Sequence, residues 1–457
     1  MGLHNIRQGL RLPSAGEPEQ MIAPARMTRR VALLAEDYVG LRPTMHVTEG
    51  DDVRRGQLLF EDKKRRGVRY TAPAAGTVVA INRGERRSFQ SLVIGLSRDE
   101  QEGRGGAGVS FSAFSGRSPL GLSGDEVREL LVESGLWVAV RARPFSRVAD
   151  PGLRPSSIFV TAMDTEPLAP RVDVVLEGAH RLFEVGLAAL SRLTDGVVYL
   201  CTAPQSGVPV PVADWVRHEE FVGAHPAGTP GLHIHRLDPV GRDKQVWHVG
   251  YQDVVAIGRL FDTGELAVDR VVALAGPAQP QPRLIRTRLG AAITDILGND
   301  PIDGDVRVIS GSLLGGRLAG GDVLGFLGRY HRQVCLIREG RKRELFGWLV
   351  PSLDKFSASR AFLSILAGGR RFAFTTSTNG SRRAIVPIGL YERVMPMDLF
   401  PTPLLRALVM QDVERAEELG CLELDEEDLA LCSFVCPSKL DFGTSLRRVL
   451  ATIEAEG

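Results

Sequence analysis

Apolar positions between residues 29 and 97 come in short runs broken by glycine and proline. RRVALLA (29–35) is a continuous apolar run, and MHVTEGDDVRRGQLLFEDKK (45–64) alternates about a Gly–Asp turn. VRYTAPAAGTVVAINRGERRS (68–88) adds two more strand-like stretches around Pro73 and Gly76. Period-two alternation with turn residues between the runs predicts a small all-β unit. The Gly-, Ser- and Asp-rich stretch 97–124 predicts a linker. After it the period changes: Val127, Leu130, Leu131 and Leu136 in DEVRELLVESGLW (125–137) share one helical face.

The middle of the chain alternates buried-strand and amphipathic-helix patterns. SSIFVTAMD (156–164) predicts a strand ending in a carboxylate, HRLFEVGLAALSRLTDG (180–196) a helix, and VVYLCTA (197–203) the next strand. That order implies a parallel sheet with right-handed crossovers. QDVVAIGRLFDTGELAVDRVVALAG (252–276) predicts helix, turn and strand, and RLIRTRLGAAITDILG (283–298) a strand and short helix. VRVISGSLLGGRLAGGD (306–322) sets a strand against a glycine-rich turn; PTPLLRALVMQDVERAEELG (401–420) and ELDEEDLALCSFVC (423–436) predict a helical tail.

At 457 residues the chain exceeds one core, so several domains are expected. Fifty-six basic against 55 acidic residues leave a net charge of +1, with no whole-chain field for nucleic acid. The basic runs RDEQEGRGG, EGRKRE (339–344) and GGRR (368–371) are interrupted by acids or glycines and read as solvated tips. No apolar stretch is long enough to span a bilayer, and MGLHNIRQGLRLPSAGEP has no secretory core. Five scattered cysteines make no disulfide framework. A cytosolic chain, or one attached to a membrane from the cytosolic side, is expected.

The candidate chemistry is mostly incomplete. Neither G-x-G-x-x-G after a strand nor G-x-x-x-x-G-K-[ST] occurs in the middle region, and GSLLGGRLAGG (311–321) lacks a following Lys–Ser or Lys–Thr. No G-x-S-x-G nucleophile turn is present. Cys432 and Cys436 share a helix face and Cys421 lies upstream, but a closed zinc site needs four ligands and no histidine follows residue 331. A helix led by acids after Asp425 and stopped before Pro437 would bury both thiols beside Leu429 as small apolar groups. His225, His233 and His235 lie close together, and an H-x-H pair on a strand would turn two rings to one face. No neighbouring carboxylate completes a metal site there, so surface or loop histidines are expected.

Residues 50–84 (GDDVRRGQLLFEDKKRRGVRYTAPAAGTVVAINRG) resemble the biotinyl/lipoyl carrier fold, with Lys63 and Lys64 near its hairpin tip; the loose KKRRG tip reads as unmodified. More specifically, the colinear stretches LPSAGEPEQ, LLAEDYVGLRPTMHV, ESGLWVAVRARPFSRV, FVTAMDTEPLA, HPAGTPGLHIH, ELFGWLVP, VPIGLYERVMPMD and CLELDEEDLALCSFVCPSK resemble the A subunit of the sodium-translocating NADH:quinone oxidoreductase over essentially the whole chain. The resemblance implies a lipoyl-like barrel-sandwich (1–105), a Rossmann-like α/β domain (106–258), a β-grasp domain of SLBB type (259–380) and a helical C-terminal domain (381–457). It implies a peripheral subunit on the cytoplasmic side of the bacterial inner membrane, beside membrane partners of which the B subunit is the direct one. Flavins (FAD, FMN, riboflavin) and a 2Fe-2S centre would sit in other subunits, with ubiquinone as substrate.

Fold relatives, the large flavoprotein of complex I and the C subunit of Rnf-type complexes, hold a flavin or NADH on a glycine-rich loop and clusters on C-x-x-C-x-x-C. Here the matching loop, Leu136 to Phe145, is bulky after Gly135, and the two-residue frames fall on Val435 and Lys439. The expectation is a chain without flavin, NADH or metal, its cysteines a degenerate site. A cofactor-binding electron carrier and a lipoyl- or biotin-type carrier are the alternatives. A quinone needs an apolar or aromatic slot with one or two donors. Tyr38 and Arg42, and Trp137, Arg141, Arg143 and Phe145, are the candidate contacts; packing between the first two domains is the competing role.

Overall fold

The computed structural model describes residues 2–104, 108–341, 354–358 and 369–456; ELFGWLVP (344–351) and parts of the basic runs 339–344 and 368–371 lie outside it. Two small sheets form the N-terminal unit. One orders the strands Arg30–Leu34, Phe89–Leu96, Gly76–Arg83 and Asp52–Val53; the other orders Pro43–Met45, Leu58–Asp62 and Arg69–Thr71. The alternation expected from sequence shows at one step of Gly76–Arg83, where Val78 is sealed and Val79 beside it exposed.

The described parts of the stretch 97–124, residues 97–104 and 108–124, form a strap rather than a free linker. Phe111 is buried against Gly56, where an added Cβ would come within 2.8 Å of its ring. Gly108 bridges to Arg55, and the Glu133 carboxylate accepts the N–H groups of Ser112 and Ala113. A composition dominated by small residues hid one anchoring aromatic.

Seven strands make the second sheet, in the order Gly2–Ile6, Val216–Gly223, Val198–Thr202, Ile158–Ala162, Val246–Gly250, Arg141–Arg143 and Arg147–Val148. The first five run parallel and the last two form an antiparallel hairpin. Ile158–Ala162 and Val198–Thr202 are buried along their whole length, as a strand covered by helices on both faces must be. Helices His180–Ser191 and Tyr251–Thr263 cross with their backbones nearly touching: a Cβ on Gly258 would lie 1.8 Å from the Leu182 carbonyl. The helix Gly124–Glu133 starts on a capping box in which Ser123 and Glu126 satisfy each other's backbone N–H.

The third sheet orders Arg317–Leu318, Val306–Ser310, Gln333–Arg338, Asp269–Ala275, Arg283–Arg288 and Glu19–Ala23. The glycine-rich 311–316 is its hairpin turn, joining two paired strands. The first residues of the chain, grouped by sequence with the barrel, serve elsewhere: Gly2–Ile6 edges the second sheet and Glu19–Ala23 edges the third.

The tail packs helices Leu390–Val394, Pro401–Met410, Val413–Glu418, Ala430–Val435 and Phe442–Glu456. The stretch 423–436 is one short helix preceded by 3₁₀ turns at Cys421–Glu423 and Glu426–Leu429. The long last helix buries Phe442, Leu446, Val449, Leu450 and Ile453, a single apolar stripe. No helix among the described residues is long and apolar enough to cross a membrane.

Candidate functional site

A slot of about 50 Å³ opens where the barrel, the seven-stranded unit and the six-stranded unit meet. The barrel supplies Asp37, Tyr38 and Tyr70, the second unit Leu136 and Val138, and the third Arg329. Tyr38 follows the 3₁₀ turn Ala35–Asp37 and is buried, its ring 4.8 Å edge-on to Tyr70 and 6.2 Å from Tyr330. Tyr330 donates its hydroxyl to the Val138 carbonyl at 2.7 Å, and the Arg141 guanidinium lies 4.5 Å over its ring. The Tyr38 and Tyr70 rings and Arg329 thus line the slot, with the Arg141–Tyr330 stack packed on Tyr38 outside its lining.

The charges behind this wall form a network. Asp253 accepts from Arg329 at 2.9 and 3.2 Å and pairs with Arg270. Burial alone would raise its carboxyl, yet the two arginines outweigh burial and hold it below the ordinary range. Asp37 differs. Burial pushes it up to about 6, opposed by the charges of Arg317 and Arg329 and by the Arg329 backbone N–H, which it accepts at 2.9 Å. Asp37, Tyr70, Arg329 and Tyr330 were not among the residues expected from sequence. An acid beside an aromatic in EDY (36–38) was a legible hint; Arg329 and Tyr330, almost 300 positions away, meet it only through folding.

The other expected contacts are dispersed. The segment Leu136–Ala139 is a buried 3₁₀ turn, not an open loop. Trp137 donates its indole N–H to the Ala149 carbonyl at 2.7 Å and meets Trp247 edge-on, inside the second unit's core. Arg42 is exposed on the barrel's outer surface. Arg143 is 0% exposed and faces the tail: its guanidinium reaches Asp428 at 3.1 Å, Glu427 at 3.2 Å, Asp425 at 3.5 Å and the Glu423 carbonyl at 3.2 Å. Phe145 and Ser146 both take left-handed backbone, a conformation that hairpin turns normally assign to Asn or Gly. The tail holds that turn, since Ser146 donates to Asp425 at 2.6 Å and Arg447 donates to the Phe145 carbonyl at 2.8 Å.

Acids 425–428, expected as helix-dipole partners, do both jobs: Asp425 caps the turn that follows it and binds Arg143 and Arg447. Burial works against Asp425, but Arg143 outweighs it and the carboxyl sits well below its usual range. Asp428, crowded by burial and like charges, rises to about 6.

The three cysteines of the tail are free and buried, and Cys436 lies 3.2 Å from the Tyr391 hydroxyl. No group of three metal-ligating side chains occurs among the described residues. The histidines need a correction. Pro230–Leu237 is a helix with proline in its first turn, so His233 and His235 point to different sides. His225 and His233 are buried rather than at the surface. Thr165 bonds His225 at 3.2 Å and His233 donates to the Ala227 carbonyl at 2.9 Å; burial lowers both to about 4, so both are neutral. His235 accepts the Asp398 N–H on Nε2 and therefore donates from Nδ1 to Glu423, at 2.7 Å.

Three family models match the chain in order: the NqrA N-terminal barrel-sandwich hybrid domain over residues 4–97, the NqrA second alpha/beta domain over 122–266 and the NQRA C-terminal domain over 271–320. The chain is 52% identical over 452 residues to the Na(+)-translocating NADH-quinone reductase A subunit of Yersinia pestis bv. Antiqua (strain Angola), with 99% of each chain covered. It is 52% identical over 455 residues to the protein of that name from Actinobacillus pleuropneumoniae serotype 5b (strain L20), and 50% over 452 residues to that of Neisseria meningitidis serogroup A, again covering 99% of each chain. Among solved structures, an NAD+-reducing NiFe-hydrogenase in the H2-reduced state overlaps 76% of this chain and 63% of its own, at 15% identity and TM-score 0.38, too loosely to argue from. Identity of half or more along nearly the full length, with the barrel-sandwich, α/β and C-terminal models in register, leaves one conclusion: the chain belongs to the A-subunit family of the Na(+)-translocating NADH-quinone reductase.

Proposed function

We propose that this chain is the peripheral, cytoplasm-facing component of its sodium-pumping complex, docked on the membrane subunits with the B subunit its direct partner, and that it shapes the access of ubiquinone without carrying electrons. The three-unit slot carries the reading. Tyr38, Tyr70, Leu136 and Val138 offer the flat apolar wall, and Arg329 and the Tyr38 hydroxyl the donors, that a quinone headgroup needs. At about 50 Å³ the slot is a third of the roughly 150 Å³ that takes up benzene, so a ring enters only when the units part. Docking on the membrane subunits supplies that opening.

Electron transfer is assigned to the flavins and 2Fe-2S centre of the other subunits. A mononucleotide phosphate needs bare backbone N–H groups, and Leu136–Ala139 fills that place with four buried side chains. Within the proposal Trp137 and Arg141 act through the wall they build and Arg42 at the outer rim, while Arg143 and Phe145 hold the tail.

The test is Leu136→Trp in the assembled complex. Filling the slot should raise the KM for ubiquinone about tenfold or more while NADH oxidation by an artificial acceptor persists. Unchanged quinone and inhibitor responses would remove the slot from the quinone path. Stoichiometric flavin absorbance in the purified chain would instead make it an electron carrier.

A further inference from the structure

The hairpin joining Leu58–Asp62 to Arg69–Thr71 ends in Lys63, Lys64, Arg65, Arg66 and Gly67. Arg65 turns inward, 3.8 Å from Glu454 of the last helix. Lys63, Lys64 and Arg66 point to solvent, and Arg42 is exposed beside them, its carbonyl accepting the Lys63 N–H at 2.9 Å. None of these four cations has an ion pair or a side-chain hydrogen bond among the described residues. Some exposed arginines elsewhere find acids, as in Arg171–Asp173, Arg181–Asp262 and Arg242–Glu417, while others, such as Arg86 and Arg87, have no ion pair among the described residues.

The tip is also held in shape. The buried Asp62 carboxylate accepts the backbone N–H groups of Arg42 at 3.2 Å and Lys64 at 3.0 Å, which pins both sides of the turn. The barrel segment that carries it shows no apolar patch: no large hydrophobic side chain is exposed between Met27 and Val79 in the sequence. A protein partner would be expected to find an apolar centre to bury, and the tip offers none. A lipid headgroup layer needs only charge.

We propose that this four-cation finger rests on anionic lipid headgroups and sets the barrel against the bilayer surface. It is a contact of charge alone, so it weakens with salt over a Debye length of about 8 Å. The inference does not depend on the quinone slot.

The experiment is co-sedimentation of the full chain with phosphatidylcholine vesicles containing about 30% phosphatidylglycerol, at about 50 mM salt. The native chain should bind and release as salt rises. Each tip cation should contribute about fivefold, so Lys64→Glu with Arg66→Glu should weaken binding about twentyfold or more. Arg86→Glu with Arg87→Glu, the same charge change on another hairpin, should leave it within about twofold. These are exposed turn positions, and circular dichroism checks that each variant folds. A native chain that ignores these vesicles, or an equal loss from both pairs of substitutions, would overturn the proposal. Tip variants that fail to join the other subunits, from a chain that never bound vesicles, would point to an acidic protein face instead.

Discussion

The slot and the tail seam are built from the same parts and end differently. Each is a buried arginine–carboxylate network joining one unit to another: Asp253 with Arg270 and Arg329 in the first, Arg143 with Asp425, Glu427 and Asp428 in the second. In the seam the guanidinium is enclosed, and helix Pro230–Leu237 presses so close that a Cβ on Gly231 would fall 2.3 Å from Asp428. At the slot, space is left beside the network, with one carboxylate, Asp37, facing it through a single backbone donor. The same charge chemistry makes a weld where packing closes and a pocket where it does not.

The seam gives the largest expected effect. Arg143→Met leaves Asp428 buried without its cation, and Asp425 with Arg447 alone, and should lower unfolding stability by about 3–5 kcal/mol, read by urea denaturation. Proteolysis should release the tail first. Arg143→Lys should rescue little, because a point charge cannot serve three carboxylates at once. A variant as stable as the native chain would mean that the two networks are alike and the seam is no weld.

The slot gives a smaller effect of opposite sign. The Asp37 carboxyl is raised from 3.8 to about 6, so the folded chain holds a proton that the unfolded chain has released between those values. The stability tied to that proton is complete below about pH 4 and is lost once pH passes about 6. Asp37→Asn stays neutral and keeps an acceptor for the Arg329 N–H. It should therefore be more stable than the native chain by about 3 kcal/mol at pH 8 and about equal to it at pH 4. Equal stabilities at both pH values would place Asp37 in water. The smallest effect is in the tail's own core: Cys436→Ala removes the contact with Tyr391 and should cost about 1 kcal/mol, with the other buried thiols still resisting alkylation.

Much of this architecture was legible in the chain. Short strands bounded by turn residues, such as Gly76–Arg83, and helices with one apolar face, such as His180–Ser191, follow from the local pattern. What was not legible depends on partners far away. The histidine pair read as strand because H-I-H alternates, yet Thr229 and Pro230 start a helix there. Trp137 and Arg143 are six positions apart in one segment and share a composition suited to ligand contact, but one enters the core and the other crosses to residues 280 and more positions on. No window of sequence holds that information. Phe111 is the converse, a single residue that turns an apparent linker into a strap.

The strands Gly2–Ile6 and Glu19–Ala23 are made well before the segments they pair with, and find their neighbours only at Val216–Gly223 and Arg283–Arg288. Neither of the two larger sheets is whole until more than half of the chain has been made, and Glu19–Ala23 has no neighbour until Arg283–Arg288 follows it. Each sheet therefore closes late in synthesis, with an early-made edge strand waiting on a distant partner.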